Sequence, residues 1–443
     1  MTINSRIEKI SKREGTIGVV GLGYVGFPLA LSLADEGFKV IGVDIDQKRI
    51  DGFNRGKLIF GGSEPGLLEL LSKVSKSGEC KFSTKYNELK DCDVIVISVQ
   101  TPLRVGMLVP DYRILKSAVR SVAKIISSGA LLVVQSTIAP GTSKSIVEPI
   151  IEKVSKKTLG KNLFYAYVPE RIMPGRTLDT LKNMPRIIGA DNENSRKAAT
   201  ALYKYVTNAD IDSASVISAE ISKTAENSYR FIEINFANAL ALLCEKHGAS
   251  YQDVRRLANK HENVKLLWPG VGIGGHCIPK DPWLLAWNNR QSLMGSLFSI
   301  GKKINQSMPA HTIELIKLGL NKISLKIKGA EIAVLGVSYR EGSDDIRSSP
   351  ANTVISLLAK MGAKLTIHDS EIPKYHGQNL AEVVKNKHAV VVLTAHEEYR
   401  KFSLNKLKSL LKYPLIIDGR QTWDRLKAIK IGFTYLQIGE PHE

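Results

Sequence analysis

The residue best placed for chemistry is Cys277, which closes a glycine-rich stretch within residues 268–282, WPGVGIGGHCIPKDP. The glycines of this stretch are Gly270, Gly272, Gly274 and Gly275. So many glycines give up chain entropy, which predicts a loop that closely surrounds a ligand. Asp281 suits the N-cap of a following helix, so the helix dipole, with Lys280 and His276 nearby in sequence, is expected to lower the thiol pKa. The pattern indicates a thiolate nucleophile; a buried cysteine that only packs is the alternative.

The other three cysteines, Cys80, Cys92 and Cys244, form no C-x-x-C pair. This spacing argues against a disulfide framework and against a structural zinc site, and no metal is predicted. Cys92 adjoins an apolar strand and Cys244 lies in an apolar helical run, so both are expected to be small buried hydrophobic residues.

A second group of polar residues lies in a predicted long helix. Residues 215–246 contain neither Gly nor Pro, a length unusual for a globular helix and compatible with pairing of two subunits. Lys223 and Asn227 lie one turn apart on one face of this helix. An ammonium and an amide in that position can hold an oxyanion, although the pair alone is better explained as solvated surface residues.

The segment GLGYVG at residues 21–26 has the spacing of a dinucleotide-binding turn, since it follows an apolar strand and opens a helix. Gly21 permits the tight turn, Gly23 lets the backbone approach a pyrophosphate, and Gly26 lets the helix pack on the strand. Free N–H groups at the helix start then face the phosphates. The predicted loop is completed by Tyr24 and Val25.

The strand that follows this helix ends at Asp44, which is the expected partner of the adenosine ribose. A carboxylate there can accept hydrogen bonds from the ribose hydroxyls and repels a 2′-phosphate. The segment therefore predicts binding of NAD rather than NADP, and the alternative is a tight turn that binds no ligand.

The arrangement of apolar runs predicts an α/β fold with two doubly wound Rossmann-like domains. Short Val/Ile-rich runs alternate with helical stretches in residues 1–210, a helical domain with one long helix follows in residues 211–320, and the alternation returns in residues 321–443. The third block opens with KGAEIAVLGVSYR, which keeps Gly336 but not the later glycines. It is therefore expected to bind a ligand other than the dinucleotide.

Composition excludes several classes of protein. The chain has 443 residues, 43% hydrophobic and 24% charged, which is typical of an ordered globular protein. Its net charge of +19 is spread along the chain with no nucleic-acid-binding motif, so neither nucleic acid nor membrane is an expected partner. No apolar run approaches the roughly 20 residues of a membrane span, and the N-terminus has no signal-peptide pattern. A cytoplasmic location is expected.

Seven segments, in order, resemble the UDP-glucose/GDP-mannose dehydrogenase family over essentially the whole chain. They are GLGYVG, VQTPL, QSTIAPGT, VPERIMPGR, AEISKTAEN, PGVGIGGHCIPKDP and DDIRSSP. The resemblance implies NAD as the cofactor and a UDP-sugar as the substrate. The similarity is greatest to the branch that acts on UDP-N-acetylhexosamines. A homodimer paired through the central helix is expected from the length of that helix.

The resemblance also implies a two-stage oxidation. A first hydride passes from C6 of the sugar to NAD⁺, Cys277 adds to the aldehyde as a thiohemiacetal, a second hydride leaves a thioester, and water releases the acid. Lys223 and Asn227 are then expected to stabilise the oxyanion, and Asp281 to act as the partner of Lys223.

Further roles follow from the same resemblance. Thr137 and Glu170 are expected to position the hydrolytic water or to act as acid or base, and Thr101 and Pro102, with Thr137, to line the cofactor side. The expected substrate-binding residues are Glu170, Arg171, Lys223, Asn227, Gly270, Gly272, Gly274, Gly275, His276, Arg340 and Arg347.

Three departures from the family pattern bear on the substrate. Pro174 stands where UDP-glucose enzymes typically have an acid, and His276 where they tend to have a small residue. These departures favour an N-acetylated sugar, with UDP-N-acetyl-D-mannosamine preferred and UDP-N-acetylglucosamine and UDP-glucose as alternatives. Arg340 replaces a lysine of the family, which keeps the positive charge but makes a poor proton donor or acceptor.

Two other classes of function remain open from the residues. A two-electron hydroxyacid dehydrogenase would need no nucleophilic cysteine and would leave the third block unexplained. A non-enzymatic dinucleotide-binding protein would leave Cys277, Lys223 and Asn227 without a role.

Overall fold

The computed structural model describes residues 2–59, 64–104 and 106–442. The chain divides into two compact units. The first unit contains residues up to 226 together with 283–288, and the second contains residues 227–282 and 289 onward.

The first unit is built on one eight-stranded sheet. Its strands are β1 (Thr16–Val20), β2 (Lys39–Val43), β3 (Cys80–Ser83), β4 (Val94–Ile97), β5 (Leu131–Val134), β6 (Phe164–Tyr167), β7 (Arg186–Gly189) and β8 (Ile211–Ala214). They lie in the order β3-β2-β1-β4-β5-β6-β7-β8, and all neighbours are parallel except β6 and β7. Strands β4 and β5 are buried along their whole length, as expected for continuous Val/Ile/Leu runs in a sheet covered on both faces.

Helices cover this sheet. They are α1 (Ile3–Ser11), α2 (Gly26–Asp35), α3 (Gln47–Asn54), α4 (Leu67–Ser77), α5 (Arg113–Ile125), α6 (Glu148–Ser155), α7 (Thr177–Asn183) and α8 (Glu193–Tyr203), with a 3₁₀ turn at Tyr86–Leu89 and a π turn at Ser143–Val147. The strand order reverses between β1 and β4. In sheets of this kind ligands bind outside the carboxyl ends of the strands at such a reversal.

The second unit contains a five-stranded, fully parallel sheet in the order β10-β9-β11-β12-β13. Its strands are β9 (Glu331–Leu335), β10 (Lys364–His368), β11 (Ala389–Val392), β12 (Leu415–Asp418) and β13 (Thr434–Gln437). The remaining helices are α9 (Val216–Lys246), α10 (Tyr251–Ala258), α11 (Asp281–Leu285), α12 (Leu293–Lys322), α13 (Pro350–Lys360), α14 (Leu380–Val384), α15 (Glu397–Lys401), α16 (Leu404–Leu410) and α17 (Arg425–Ile431). A 3₁₀ turn lies at Pro373–Tyr375. The boundary between the units falls within α9 and within α11.

The predicted fold class is confirmed: two doubly wound parallel-sheet parts and a helical region with a long helix. Helix α9 has 31 residues and no break. Helix α12 is almost as long, with 30 residues, although Pro309 lies inside it. Proline removes one backbone hydrogen bond and normally predicts a helix end, but α12 continues through it. The division into three blocks, 1–210, 211–320 and 321–443, stays a prediction.

No helix among the described residues combines the length and apolarity that a membrane span requires.

Candidate active site

Close contacts in the β1–α2 turn explain why this turn requires glycines. Gly21 has φ +90°, and a Cβ there would lie 2.5 Å from the carbonyl oxygen of Ser98. A Cβ on Gly26 would lie 2.0 Å from the carbonyl oxygen of Gly21, so the helix could not approach the turn. A Cβ on Gly23 would meet nothing within 4 Å. This open side is where a pyrophosphate would lie against the backbone, and Tyr24 and Val25 continue the turn to the start of α2.

Asp44 lies directly after β2 and is held in a fixed orientation. Its Oδ2 accepts hydrogen bonds from the backbone N–H of Leu22 at 2.7 Å and from Arg49 Nη1 at 2.9 Å, and its Oδ1 accepts from the N–H of Asp46 at 3.0 Å. Asp46 itself caps α3 by accepting from the N–H groups of Lys48 and Arg49. Asp44 therefore remains the carboxylate predicted to bind ribose, and Asp46 is the N-cap of α3.

These residues line a cavity of about 500 Å³ in the first unit. Its walls include Gly21, Gly23 and Asp44, with Tyr86 and Val99 among the others. The cavity lies at the reversal between β1 and β4, and its size is in the range of small-molecule sites. The glycine turn, the carboxylate and the cavity together fit a bound NAD.

Thr101 and Thr137 are brought together beside this region. The buried Thr101 Oγ1 donates to the carbonyl oxygen of Thr137 at 2.6 Å, so the loops after β4 and β5 are joined by a side-chain hydrogen bond. Ser136 adds a second link of the same kind, with its Oγ donating to the carbonyl oxygen of Val99 at 2.6 Å. Pro102 is half-buried, and its carbonyl oxygen accepts from the N–H of Asp111.

Glu170 lies in the loop after β6 and is buried among hydrogen-bond donors. Its Oε1 accepts from Arg186 Nη1 and from the N–H of Arg171, the latter at 2.7 Å. Its Oε2 accepts from Gln135 Nε2 at 2.8 Å. Sequence analysis found Glu170 but missed Gln135 and Arg186, because a glutamine after one strand and an arginine at the start of another form no recognisable pattern.

Arg171 has a structural partner in the first unit. Its guanidinium pairs with the carboxylate of Glu226, and its Nη1 donates to the carbonyl oxygen of Pro185 at 2.8 Å. These contacts tie the loop after β6 to α9. Lys223, one turn before Glu226 in the same helix, is buried. The substrate-binding roles of Arg171 and Lys223 stay predictions.

In the second unit the backbone N–H groups of the glycine loop are held by polar contacts. Asn238 Oδ1 accepts from the N–H of Gly270 at 2.9 Å, and Asn305 Oδ1 accepts from the N–H of Ile273 at 2.6 Å. The carbonyl oxygen of Arg347 accepts from the N–H of Gly275 at 2.8 Å. The loop is therefore fixed by α9, α12 and the segment before α13.

Close packing explains why the loop contains so many glycines. A Cβ on Gly270 would lie 2.5 Å from Arg420 Nη1, and one on Gly274 would lie 2.6 Å from the Cβ of Tyr339. Gly272 and Gly275 have positive φ values of +128° and +86°, which side chains rarely adopt. Arg420 and Tyr339 were not predicted as site residues, since their contact with the loop depends on the tertiary fold.

Cys277 is the exposed cysteine of the four, and the other three are half-buried or buried. Burial raises the pKa of Cys80 and of Cys92 to about 12 and also raises that of Cys244. These three thiols therefore stay protonated at neutral pH. The expected burial of Cys92 and Cys244 is confirmed, and Cys277 is the thiol that is exposed to solvent.

The expectation that His276 contributes positive charge near the thiol is wrong. Burial, followed by the charges of Lys280 and Arg347, lowers the pKa of His276 to about 4. The imidazole is therefore neutral at physiological pH, although its Nδ1 lies 4.0 Å from Cys277 Sγ. Lys280 is buried, with its Nζ 3.6 Å from Asp281 Oδ1, so its charge is shared with a carboxylate.

Asp281 does not act as the predicted N-cap. It is the first residue of α11, and its Oδ2 accepts a hydrogen bond from Asn227 Nδ2 at 2.6 Å. Its carboxylate therefore binds the side chain of Asn227 on α9 and does not cap the start of α11. The resemblance implied Lys223 as the partner of Asp281, and that pairing stays a prediction.

Arg340 and Arg347 lie in the loop between β9 and α13. The guanidinium of Arg347 pairs with Asp345, its Nη2 lying 2.6 Å from Oδ2. Arg340 is half-buried, and its carbonyl oxygen accepts from Ser338 Oγ. His396 Nε2 lies 3.1 Å from the same Ser338 Oγ, so this loop is fixed at its base by a buried histidine.

The turn after β9 is built like the one after β1 but offers no ribose carboxylate. Asp369 Oδ2 accepts from the N–H groups of Val337 and Ser338, as Asp44 does from Leu22. Burial alone would raise the pKa of Asp369, but the hydrogen bond from His396 lowers it to about 2. Asp369 is fully buried. This burial supports the expectation that the second turn does not bind a dinucleotide.

In the parts of the chain that the structure covers, no three His, Cys, Asp or Glu side chains are grouped so that they could hold a metal ion.

The fold, the glycine turn and the exposed thiol define an α/β dehydrogenase that uses a dinucleotide. Comparison with known proteins agrees. The chain matches the UDP-glucose/GDP-mannose dehydrogenase family in its NAD binding domain over residues 15–207, its central domain over 217–307 and its UDP binding domain over 333–425. The chain belongs to this family and is an NAD-dependent dehydrogenase of nucleotide sugars.

Individual relatives are similar over nearly their whole length. A UDP-N-acetyl-D-mannosamine dehydrogenase of Pyrococcus horikoshii is 35% identical over 423 residues, which cover 96% of this chain and 99% of the relative. A solved structure of UDP-D-ManNAc dehydrogenase from the same organism has a TM-score of 0.89 at 34% identity, covering 97% of this chain and 100% of that one. An NDP-N-acetyl-D-galactosaminuronic acid dehydrogenase of Methanosarcina mazei has a TM-score of 0.83 at 34% identity, covering 100% and 98%.

We expect Asp44→Ala to weaken NAD⁺ binding by about 10- to 100-fold, because a hydrogen bond to a charged group contributes about 1.5–3 kcal/mol. Asp44→Asn, which keeps an acceptor for the N–H of Leu22, separates the loss of charge from the loss of the turn contact. Asp212→Ala, at an exposed position of β8, is the control. Titration calorimetry measures the affinity, and unchanged binding in both Asp44 variants would refute the ribose assignment.

Proposed function

We propose that this protein oxidises the C6 hydroxymethyl group of UDP-N-acetyl-D-mannosamine to a carboxylate, with reduction of two NAD⁺ per sugar. The observation that carries the proposal is the exposed thiol of Cys277 at the end of a tightly packed glycine loop. An alcohol-to-aldehyde enzyme has no use for a nucleophile, whereas oxidation to the acid requires a covalent adduct or a hydrate of the aldehyde.

The thiol captures the aldehyde in the proposed reaction. When bound, NAD accepts a hydride from the sugar carbon in each of two oxidations. Between them, Sγ of Cys277 forms a bond to C6 of the aldehyde, giving a thiohemiacetal whose oxidation leaves a thioester. Water then attacks the thioester carbon, the C–S bond breaks, and the thiolate and the uronic acid are released.

Lys223 and Asn227 are proposed to stabilise the oxyanion that develops on the sugar oxygen, since fixed donors contribute most where charge appears. The hydrogen bond from Asn227 to Asp281 fixes the amide and leaves its second N–H free to donate. Thr137 and Glu170 are proposed to serve the hydrolytic water. Thr101 and Pro102 are proposed to line the cofactor side with Thr137.

The residues of the second unit proposed to bind the UDP-sugar are Asn227, the loop glycines, His276, Arg340 and Arg347. The neutral imidazole and the two guanidiniums suit a sugar and a diphosphate. Substrate-binding roles are also proposed for Glu170, Arg171 and Lys223. Residues 1–210 are proposed as the NAD domain, 211–320 as the central helical domain, and 321–443 as the UDP-sugar domain.

The choice of sugar is supported by the relatives, since the first of them acts on UDP-N-acetyl-D-mannosamine by name. The solved structure from Methanosarcina mazei is named for a different N-acetylated sugar acid. An N-acetylhexosamine is therefore the firmer part of the proposal. UDP-N-acetylglucosamine and UDP-glucose remain the rival substrates for the same chemistry.

We also propose that the protein is a homodimer paired through α9. Tyr229, Phe236 and Leu243 repeat every seven residues on this helix, and each exposes half or more of its surface. A seven-residue repeat keeps apolar residues on one helical face. On α12, Leu297 and Ile300 are exposed as well. An apolar face of this size on a soluble helix is explained by a second copy of the chain.

A cytoplasmic location is part of the proposal, because the reaction needs a free thiol and the cytoplasm keeps thiols reduced.

We expect two NADH for each UDP-N-acetyl-D-mannosamine consumed, with kcat/KM at least about 10-fold higher than for UDP-N-acetylglucosamine, UDP-glucose or GDP-mannose, since one mismatched sugar group changes transition-state binding by about 1–3 kcal/mol. NADH absorbance with limiting sugar measures the stoichiometry. One NADH per sugar would indicate a two-electron dehydrogenase, and none with any sugar would reject the proposed function.

Cys277→Ala is expected to lower the rate of acid formation by at least about 1,000-fold, because no covalent adduct can form. NAD⁺ affinity should be unchanged. Cys80→Ala, which removes a half-buried thiol, is the matched control and should keep its activity. Near-normal acid production by Cys277→Ala would show that covalent catalysis is absent.

Phe236→Glu is expected to convert the dimer to a monomer, because a charge would replace the centre of the apolar face. Leu426→Glu, which changes another strongly exposed leucine on α17, should leave the mass unchanged. Light scattering during size-exclusion chromatography measures both. A dimer of unaltered stability in Phe236→Glu would exclude this face as the interface.

A further inference from the structure

A buried imidazole in the second unit closes a ring of hydrogen bonds under the loop between β9 and α13. His396 directly precedes α15, and it is 1% exposed. Its Nδ1 accepts from the N–H of Gly342 at 3.3 Å, so the imidazole proton lies on Nε2. Nε2 lies 3.1 Å from Ser338 Oγ, and that hydroxyl donates to the carbonyl oxygen of Arg340 at 3.1 Å. One histidine thus holds three alternate residues of the loop in a single turn.

Ser338, at the base of this loop, is held by each of its polar groups. Its N–H donates to Asp369 Oδ2 at 2.9 Å, and its carbonyl oxygen accepts from Thr394 Oγ1. Asp369 Oδ1 also lies 3.2 Å from His396 Nε2, so the carboxylate orients the imidazole. These residues follow β9, β10 and β11. Because buried polar groups cost free energy unless they are paired, the base of the loop is restricted to one conformation.

A serine, a histidine and an aspartate also form the catalytic triad of serine hydrolases, but the geometry of this cluster excludes that chemistry. In such a triad one imidazole nitrogen faces the hydroxyl and the other faces the carboxylate. Here Nε2 of His396 faces both, and a backbone N–H donates to Nδ1. Ser338 and Asp369 are 0% exposed, so no substrate reaches the hydroxyl. The cluster therefore holds the loop and does not react.

The other side of this loop packs against the glycine loop that precedes Cys277. A Cβ on Gly274 would lie 2.6 Å from the Cβ of Tyr339, and one on Gly275 would lie 2.9 Å from the Cζ of the same tyrosine. Further along, the carbonyl oxygen of Arg347 accepts from the N–H of Gly275 at 2.8 Å. A shift of the β9–α13 loop would therefore move the glycine loop as well as the two arginines proposed to bind the diphosphate.

We propose that His396 is a positioning residue for the nucleotide sugar: it holds the β9–α13 loop in the conformation in which Arg340, Arg347 and the glycine loop bind the UDP-sugar. This inference rests on the proposed function. His396 is buried beneath the loop and acts through it. A loop that is already ordered loses less conformational entropy when a ligand binds. Loosening the loop should therefore weaken binding of the UDP-sugar and leave the chemical steps unchanged.

The test measures substrate affinity in the full-length enzyme. His396→Phe fills the space of the imidazole but neither donates nor accepts a hydrogen bond. Its KM for UDP-N-acetyl-D-mannosamine should rise at least about 10-fold, because buried polar groups of the loop lose their partner. Its kcat and its KM for NAD⁺ should stay within about 2-fold of wild type, the pattern of lost uniform binding. Calorimetric titration with UDP should show the same loss of affinity without turnover. His376→Phe, which changes an exposed histidine, is the matched control.

Rescue by a conservative variant separates this role from a general loss of structure. His396→Gln keeps an N–H donor and an acceptor, so its KM for the sugar should return to within about 3-fold of wild type. Hydrogen exchange of the ligand-free enzyme gives a readout that is independent of activity. Residues 337–347 should exchange faster in His396→Phe than in wild type or His396→Gln, because the loop opens locally.

A smaller change to the same ring serves where His396→Phe does not fold. Ser338→Ala removes one hydroxyl and should raise the KM for the sugar by about 2- to 10-fold. Added to His396→Phe, it should have little further effect, because both residues act through one ring. An unchanged KM in these variants, a fall in kcat at unchanged KM, or unchanged hydrogen exchange would overturn the inference while wild type binds UDP and forms NADH. A wild-type enzyme that does neither would instead overturn the proposed function.

Discussion

Both halves of this enzyme depend on one constraint. At certain positions the backbone lies in van der Waals contact with other groups, and only glycine permits that approach. At Gly21 and Gly26 an added Cβ would collide with main-chain oxygens, and at Gly270 and Gly274 it would collide with Arg420 and Tyr339. The first pair lets a helix start lie against a strand end, where phosphates bind. The second pair lets the loop that precedes Cys277 be closely enclosed by side chains.

Three carboxylates of the protein differ in how completely their negative charge is paired. Asp44 is shared between a backbone N–H and Arg49 but still lines a cavity. Asp369, at the same place in the second sheet, is fully buried against His396. Glu170 is paired with the fully buried Arg186. A carboxylate is thus left beside a cavity, used to hold a loop or paired with a buried cation, according to the groups that surround it.

The proposed reactivity of Cys277 does not rest on the positive charges that its neighbours in the sequence suggest. His276 is neutral, and Lys280 lies near Asp281. What distinguishes Cys277 from Cys80, Cys92 and Cys244 is its exposure, because burial holds the other three thiols protonated. Exposure to solvent, and not a row of adjacent cations, is the property that the fold gives this residue.

The sequence by itself determined the fold class, the long helix α9 and the use of NAD, and it predicted Asp44 as the ribose partner and Cys277 as the nucleophile. Each of these depends on local spacing: apolar periodicity, helix starts and glycines at turns. Only the tertiary structure decided that Asp281 would bind Asn227 and not cap α11, that His276 would be neutral, and that Gln135 and Arg186 would enclose Glu170. These contacts join residues far apart in the chain, and burial, which sets their charge, has no signature in the local sequence.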